Sequence, residues 1–265
     1  MIEVKIINNI ELLMADNISA VHAFTTRLGG VSKAPFDSLN LGLHRGDRDE
    51  NVAENRRLLA NALGFDLERL VLTHQTHSDI VRVVTGRDAV GFDHRLYPES
   101  DGIITNEPGV ALWIFTADCT PILLWDSVSG AVGAVHAGWR GTASQIGGKA
   151  VKKMAEVFGC DPKNIHAAIG PNIGFCCFET DSDVPQAMLR SFGDEANDHI
   201  QQKGSKYYVN LKELNALALR RAGVENIAIS DACTACQCDR FWSHRVTKGI
   251  RGSQGAVIVC KEVCP

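Results

Sequence analysis

Residues 101–142 read DGIITNEPGVALWIFTADCTPILLWDSVSGAVGAVHAGWRGT. Four β-branched, apolar runs, at 102–105, 109–116, 121–126 and 131–136, are separated by turn signals such as EPG and DSVSG. Connections this short join antiparallel neighbours, so the segment predicts antiparallel pairing over 100–136. Two residues able to do chemistry stand at its strand ends: Cys119 in TADCTP and His136 in AVHAGWRGT. A third, His77, lies upstream in HQTHSD, beside another short apolar run.

Outward from this block, 20–26 (AVHAFTT), 69–73 and 79–84 read as strands. Residues 50–63 read as an amphipathic helix with Val52, Leu58, Leu59 and Leu63 on one side and Gly64 as its stop. Thr142 is the expected N-cap of a helix running to about Phe158. A strand at 164–169, helices at 182–192 and 210–222, and strands at 226–230 and 255–260 complete the chain. Strands first, with helices interspersed, predict an α+β or layered α/β fold. No linker, repeat or charge block divides residues 1–265, which predicts a single domain.

The apolar fraction of 45% supplies an ordinary globular core, and the net charge of −4 is spread along the chain. Such a surface offers no field for nucleic acid or anionic lipid. The start, Met1-Ile2-Glu3-Val4-Lys5, lacks the pattern of a signal peptide. The longest apolar stretches, near 109–115 and 121–125, are too short to span a bilayer, so a cytoplasmic protein is expected. The nine cysteines, an odd number, do not suggest a disulfide framework. Cys233, Cys236 and Cys238 form a CTACQC cluster, readable as a second metal or redox site or as small half-buried thiols; no second CxxC or H-x₃-H follows it. Cys176 and Cys177 are adjacent, and on a strand they would point to opposite faces.

Two imidazoles and a thiolate make a three-ligand set for Zn²⁺ or Cu, with a fourth position left for water or substrate. The plainer alternative is three residues, far apart in sequence, that never meet. His74 and His77 are three apart, so on a strand only one of them reaches a given site. Arg140, just ahead of the expected helix N-terminus, and Arg27, beside Gly29-Gly30, are candidates for holding an anion; a surface ion pair and a simple turn are the alternatives. Arg245 and Arg251 are weaker candidates.

Several blocks in order resemble one family. HAFTTRLGGVSKAPFDSLNLG at 22–42, HQTHSDIVRVV at 74–84, the DGIIT…PG…TADCTP block, HAGWRG at 136–141, IGPNIGFCCFE at 169–179 and CTACQCDRFWSHR at 233–245 are similar to blocks of the YfiH-like family. These are the laccase-domain or "multicopper polyphenol oxidase" proteins, also described as purine nucleoside phosphorylases. The resemblance implies packed, mixed β-sheets flanked by helices, a fold shared with a cytotoxic-necrotizing-factor-like toxin domain that uses a Cys–His pair. It implies His77, Cys119 and His136 as metal ligands and catalytic residues, with zinc, or copper, as cofactor. The implied activity is phosphorolysis of adenosine, inosine, guanosine and 5′-methylthioadenosine, with adenosine deamination beside it. A purine nucleoside and phosphate are then the partners, and Arg27 or Arg140 would hold the phosphate. Near the end the chain departs from the pattern: GIRGSQGAVI stands in place of a G-R-M-A type run. Two other chemistries compete. One is copper-dependent oxidation of phenols, although nine histidines include no H-x-H pair. The other is a Cys–His hydrolase acting on cell-wall precursor peptides, with Cys119 as nucleophile and His136 as base.

Overall fold

In the computed structural model, which describes residues 1–261, the chain opens with a hairpin of β1 (Ile2–Ile7) and β2 (Ile10–Ala15). Asn8 and Asn9 both take positive φ, which suits the tight turn that a right-twisted hairpin requires. There follow β3 (His22–Thr25), α1 (Asp49–Leu63), β4 (Leu70–Val71), β5 (Val81–Val83) and β6 (Gly102–Thr105). The central block supplies β7 (Ala111–Thr116), β8 (Thr120–Asp126) and β9 (Val132–Ala137), then α2 (Trp139–Ala143) and α3 (Ile146–Phe158). The last third holds β10 (Ile165–Ile169), β11 (Glu179–Thr180), α4 (Asp183–Phe192), β12 (Ile200–Lys203) and β13 (Lys206–Val209). It ends with α5 (Leu211–Arg221), β14 (Asn226–Ile229), α6 (His244–Thr247) and β15 (Gln254–Val259).

Two six-stranded mixed sheets result. The first has the order β1-β2-β3-β15-β7-β4 and the second β14-β10-β8-β9-β6-β5; β11, β13 and β12 form a small third sheet. One apolar core lies between the two large sheets, joining Phe24, Leu112, Ile114 and Val257 of the first to Leu123 and Ala134 of the second. A second core packs Ile122, Leu124 and Val135 against Val151 and Met154 of α3 and Leu219 of α5. The α+β architecture expected from the sequence is therefore present as sheet on sheet, with helices on the far face of the second sheet.

The expected antiparallel run over 100–136 holds for β6, β8 and β9. It fails for β7, which pairs instead with the distant β15 and, in parallel, with β4. Ala111 to Ile114 are wholly buried, so β7 needs a partner and cover on every side, and periodicity alone does not say whether a neighbour is local or remote. As a result TADCTP is the crossing from one sheet to the other.

The helix expected from Thr142 also differs. The chain enters α2 at Trp139, breaks at Gln145 in the left-handed region (φ 55°) and restarts as α3. Thr142 is buried, and its hydroxyl accepts from the Asn215 amide (2.9 Å) instead of capping. In α1 the buried face includes Asn55 and Arg56 as well as Val52, Leu59 and Leu63, while Leu58 is only half-buried. Asn55 accepts from the Val31 N–H (2.8 Å) and donates to the Asn40 carbonyl (2.8 Å), and Arg56 donates to the Leu41 carbonyl (2.9 Å). These polar groups hold the long loop after β3. Among the described residues no helix is long and apolar enough to cross a membrane.

His22, buried on β3, accepts from the Ala15 N–H through Nε2 and faces the Ala20 carbonyl with Nδ1, both at 2.8 Å. Burial lowers its pKa, against the pull of the Ala20 carbonyl. The neutral ring is thus the folded form, and its contribution is full above the unfolded imidazole value of ~6.5 and lost as pH falls below it. Melting temperature should therefore drop between about pH 7.5 and about pH 5.5, and the drop should be smaller in His22→Gln. Equal drops in both proteins would assign the acid sensitivity elsewhere.

Candidate metal centre and active site

The site is built around a carboxylate. Asp101, fully buried at the entry to β6, accepts from the backbone N–H groups of Thr76 (3.2 Å), His77 (3.1 Å) and Ser78 (2.7 Å), and from the Ser78 hydroxyl (2.7 Å). These bonds fold the link between β4 and β5 so tightly that His77 takes φ 61°, a conformation uncommon for a side-chain-bearing residue. The same carboxylate accepts from His136 Nδ1 (2.7 Å), and the Asp101 carbonyl accepts from the His136 N–H (2.7 Å). Asp101 therefore places the backbone of one histidine and the ring of the other. Sequence reasoning gave it no role; the visible signal was a lone Asp-Gly at the start of a strand.

Cys119 sits on the crossing between sheets. Its neighbour Asp118 has φ 85° and its carboxylate accepts from the Thr234 hydroxyl (2.6 Å), the Ser243 hydroxyl (3.1 Å) and the Arg245 N–H (2.7 Å). The crossing is thereby tied to the segment after β14. Cys119 Sγ lies 3.7 Å from His77 Nε2, and the ring centroids of His77 and His136 are 5.0 Å apart, edge to face. One ligand atom from each of His77, Cys119 and His136 lies within 4.8 Å of the others. Gly138 makes the approach possible, because a Cβ there would stand 2.6 Å from His77 Cδ2 and 3.4 Å from Cys119 Sγ.

Burial opposes both charges here, yet the partners win. His136 and His77 bring the half-buried Cys119 thiol down to about 6, and Cys119 and Asp101 raise His136 to about 9. Asp101, held by His136 and Ser78 against its own burial, falls to about 2. With Nδ1 committed to Asp101, Nε2 is the atom left to His136 for a metal, which would have to displace the proton held there. Sulfur at ~2.3 Å and nitrogen at ~2.0–2.1 Å around one ion call for donor atoms roughly 3.3–3.7 Å apart, so this set fits a zinc or copper ion with one position open. His74 is not in it; its ring meets His94 instead (6.1 Å between centroids).

The open side faces a cavity that opens to solvent. Its walls include Arg45, Arg251, Phe115, Gln75 and His94. Arg27 and Arg140 do not line it. Arg27 donates to the carbonyls of Asp37 (2.8 Å) and Cys238 (3.0 Å) and stacks on Trp242 (3.9 Å), bracing the loop after β3. Arg140 is exposed in the first turn of α2 over the Trp139 ring (4.2 Å), because that helix starts earlier than expected. Arg251 donates to the Gly252 carbonyl and the Ser253 hydroxyl, and its buried Nε has no partner among the described residues. Burial and the nearby Arg45 lower it to about 10. Arg45 and Arg251 both line the cavity, and neither has a carboxylate within ion-pair distance among the described residues.

A model of the multi-copper polyphenol oxidoreductase laccase family matches residues 21–261. The chain belongs to that family. Purine nucleoside phosphorylase YlmD of Bacillus subtilis is 40% identical over 255 residues, covering 93% of this chain and 91% of its own length. Purine nucleoside phosphorylase YfiH of Escherichia coli is 35% identical over 224 residues, 84% of this chain and 87% of its own. The crystal structure of YlmD from Geobacillus stearothermophilus superposes with a TM-score of 0.90 at 40% identity, covering 95% of this chain and 96% of that one. The YfiH structure from Bacillus licheniformis gives the same TM-score at 36% identity, over 96% and 97%.

Since Asp101 orients two of the three donors, Asp101→Asn should weaken metal binding by about 10–100-fold with the fold intact, as loss of such a supporting carboxylate typically does. Competition against a chromogenic chelator reads this directly, and unchanged affinity would remove Asp101 from the site.

Proposed function

We propose that this chain is a zinc-dependent purine nucleoside phosphorylase, acting in the cytoplasm on adenosine, inosine, guanosine and 5′-methylthioadenosine. One observation carries the reading: His77, Cys119 and His136 converge on the floor of a cavity whose wall holds two arginines with no directly paired carboxylate among the described residues. The names of the B. subtilis and E. coli relatives support it. Phosphate is the anion that suits Arg45 and Arg251, whose planar forks match its oxygens. Phe115, half-buried on the cavity wall, offers a ring face to a purine. Gln75 is fixed by two hydrogen bonds of 2.7 Å to the Phe115 backbone, which holds that wall still.

In phosphorolysis a phosphate oxygen bonds to ribose C1′ while the bond from C1′ to the base nitrogen breaks, its electron pair leaving with the base. The arginines place the nucleophile and offset its charge. His77, Cys119 and His136 would hold the metal, and Asp101 fixes the His136 ring through Nδ1 so that Nε2 faces it. When bound, zinc supplies a Lewis acid and an acidified water, the chemistry that an accompanying adenosine deamination requires.

A specific observation favours a second reading. Without a metal, Cys119, His136 and Asp101 form an ion-paired nucleophile, base and orienting acid, the arrangement of a Cys–His hydrolase.

Removing either arginine should cost a charge-assisted contact of about 1.5–3 kcal/mol. Arg251→Ala and Arg45→Ala should thus lower kcat/KM for phosphate by about 10–150-fold with zinc still bound, whereas Arg140→Ala should leave it nearly unchanged. An unaltered phosphate dependence in both cavity variants would end the anion assignment. Chelation should abolish nucleoside turnover, and zinc should restore it. A metal-free enzyme that still turns over, and is then silenced by iodoacetamide at Cys119, would establish the hydrolase instead.

A further inference from the structure

Away from the cavity floor the fold gathers four more thiols. β10 and β14 are parallel neighbours, so the segments that leave their C-terminal ends emerge side by side. An isolated bridge from Asn172 to Cys233 extends the pairing, and the Thr234 N–H donates to the Asn172 carbonyl (2.9 Å). Residues 175–177 form a turn rather than a strand, which removes the expectation that Cys176 and Cys177 point apart. Both reach Cys236, with Sγ–Sγ distances of 3.5 Å and 3.4 Å. The Sγ atoms of Cys176, Cys177, Cys233 and Cys236 all lie within 4.8 Å of one another, and none is in a disulfide. Cys238, the third member of CTACQC, is not part of the group.

We propose that Cys176, Cys177, Cys233 and Cys236 form a second, structural metal site that takes one Zn²⁺ per chain. Four sulfurs at ~2.3 Å from one ion sit roughly 3.8 Å apart in a tetrahedron, so the group is already near the required size. It is too compact for a multi-iron cluster, and four soft thiolates with no oxygen donor select zinc among common divalent ions. Cys233 has the surroundings of a bound thiolate. Cys233 Sγ accepts from the N–H groups of Gly174 (3.1 Å) and Cys236 (3.5 Å), the second of these closing the CxxC turn. A Cβ on Gly174 would stand 3.2 Å from the sulfurs of both Cys176 and Cys233, so glycine lets the backbone close over them. The complex would carry two net negative charges once four protons have left. Lys212, buried on α5 and donating to the Ala232 carbonyl (2.7 Å), is near enough to Cys233 and Cys176 to feel their charge. Arg245 donates to the Cys177 carbonyl (3.1 Å).

The position gives the ion a purpose. Thr234, within the CxxC, and Arg245 are the same residues that grip Asp118, and Ile173 donates to the Asp118 carbonyl (2.9 Å). A closed tetrathiolate would therefore stiffen both segments that brace the crossing bearing Cys119, without touching substrate.

Cobalt titration of chelated, fully reduced protein tests this. Wild-type chain should bind about two Co²⁺ and develop the intense sulfur-to-metal charge-transfer absorption of a four-thiolate site. Cys236→Ser and, as a milder exposed variant, Cys176→Ser should lose that absorption and bind about one ion, with far-ultraviolet circular dichroism reporting that the fold persists. His77→Ala should keep the absorption, which separates this site from the cavity floor. The proposal is overturned if the reduced wild-type chain takes only the ion that His77→Ala removes, if Cys176→Ser keeps the full four-thiolate spectrum, or if protein purified under reductant holds a disulfide from Cys236 to Cys176 or Cys177.

Discussion

A carboxylate with no exposure to water must be surrounded by donors, because an unpaired charge at that depth costs several kcal/mol. Asp101 is such a group, and every donor that satisfies it is also a piece of the site. Four come from the backbone and hydroxyl of the turn bearing His77, and one is the His136 ring. The turn is bent into a left-handed conformation to deliver them. Asp118 plays the matching part at Cys119, drawing Thr234, Ser243 and Arg245 onto the crossing. Charge satisfaction, more than apolar packing, sets where the three donors point.

This division explains what could be read in the sequence. Apolar runs and turn signals marked most strands, since burial and backbone twist are local demands. The partner of β7 was not legible, because β15 lies more than a hundred residues away and a fully apolar run is indifferent to which strand pairs with it. The hairpin of β1 and β2 was legible as the alternation Ile2-Glu3-Val4-Lys5-Ile6 followed by Asn8-Asn9, although β1 lies largely exposed at the edge of its sheet. Thr142 misled because a hydroxyl that suits a helix cap suits a buried bond to Asn215 equally well.

The candidate site shows the same split. His77, Cys119 and His136 stood out through motifs that resemble a family, each at the end of a strand. Arg45 did not, and Arg251 only as a weaker candidate, since their meeting depends on a loop after β3 folding against the approach to β15. The adjacent Cys176 and Cys177 were read as opposite faces of a strand, whereas a turn brings both to Cys236. Ligand sets drawn from separate loops have no sequence spacing to betray them.

The crossing at TADCTP has a further consequence. His77, Cys119 and His136 precede or end β5, β8 and β9, all strands of the second sheet. Gln75, Phe115, Arg251 and Ser253 border β4, β7 and β15, all strands of the first. The donor set and the arginine-bearing wall thus draw on different sheets, joined at TADCTP and again at the link between β4 and β5 that carries both Gln75 and His77. Substitutions at the strand ends of the first sheet can reshape what enters the cavity while leaving the donor set in register. Selection can therefore work on the two independently, and a lineage built on this scaffold is free to exchange one class of guest for another without rebuilding its chemistry.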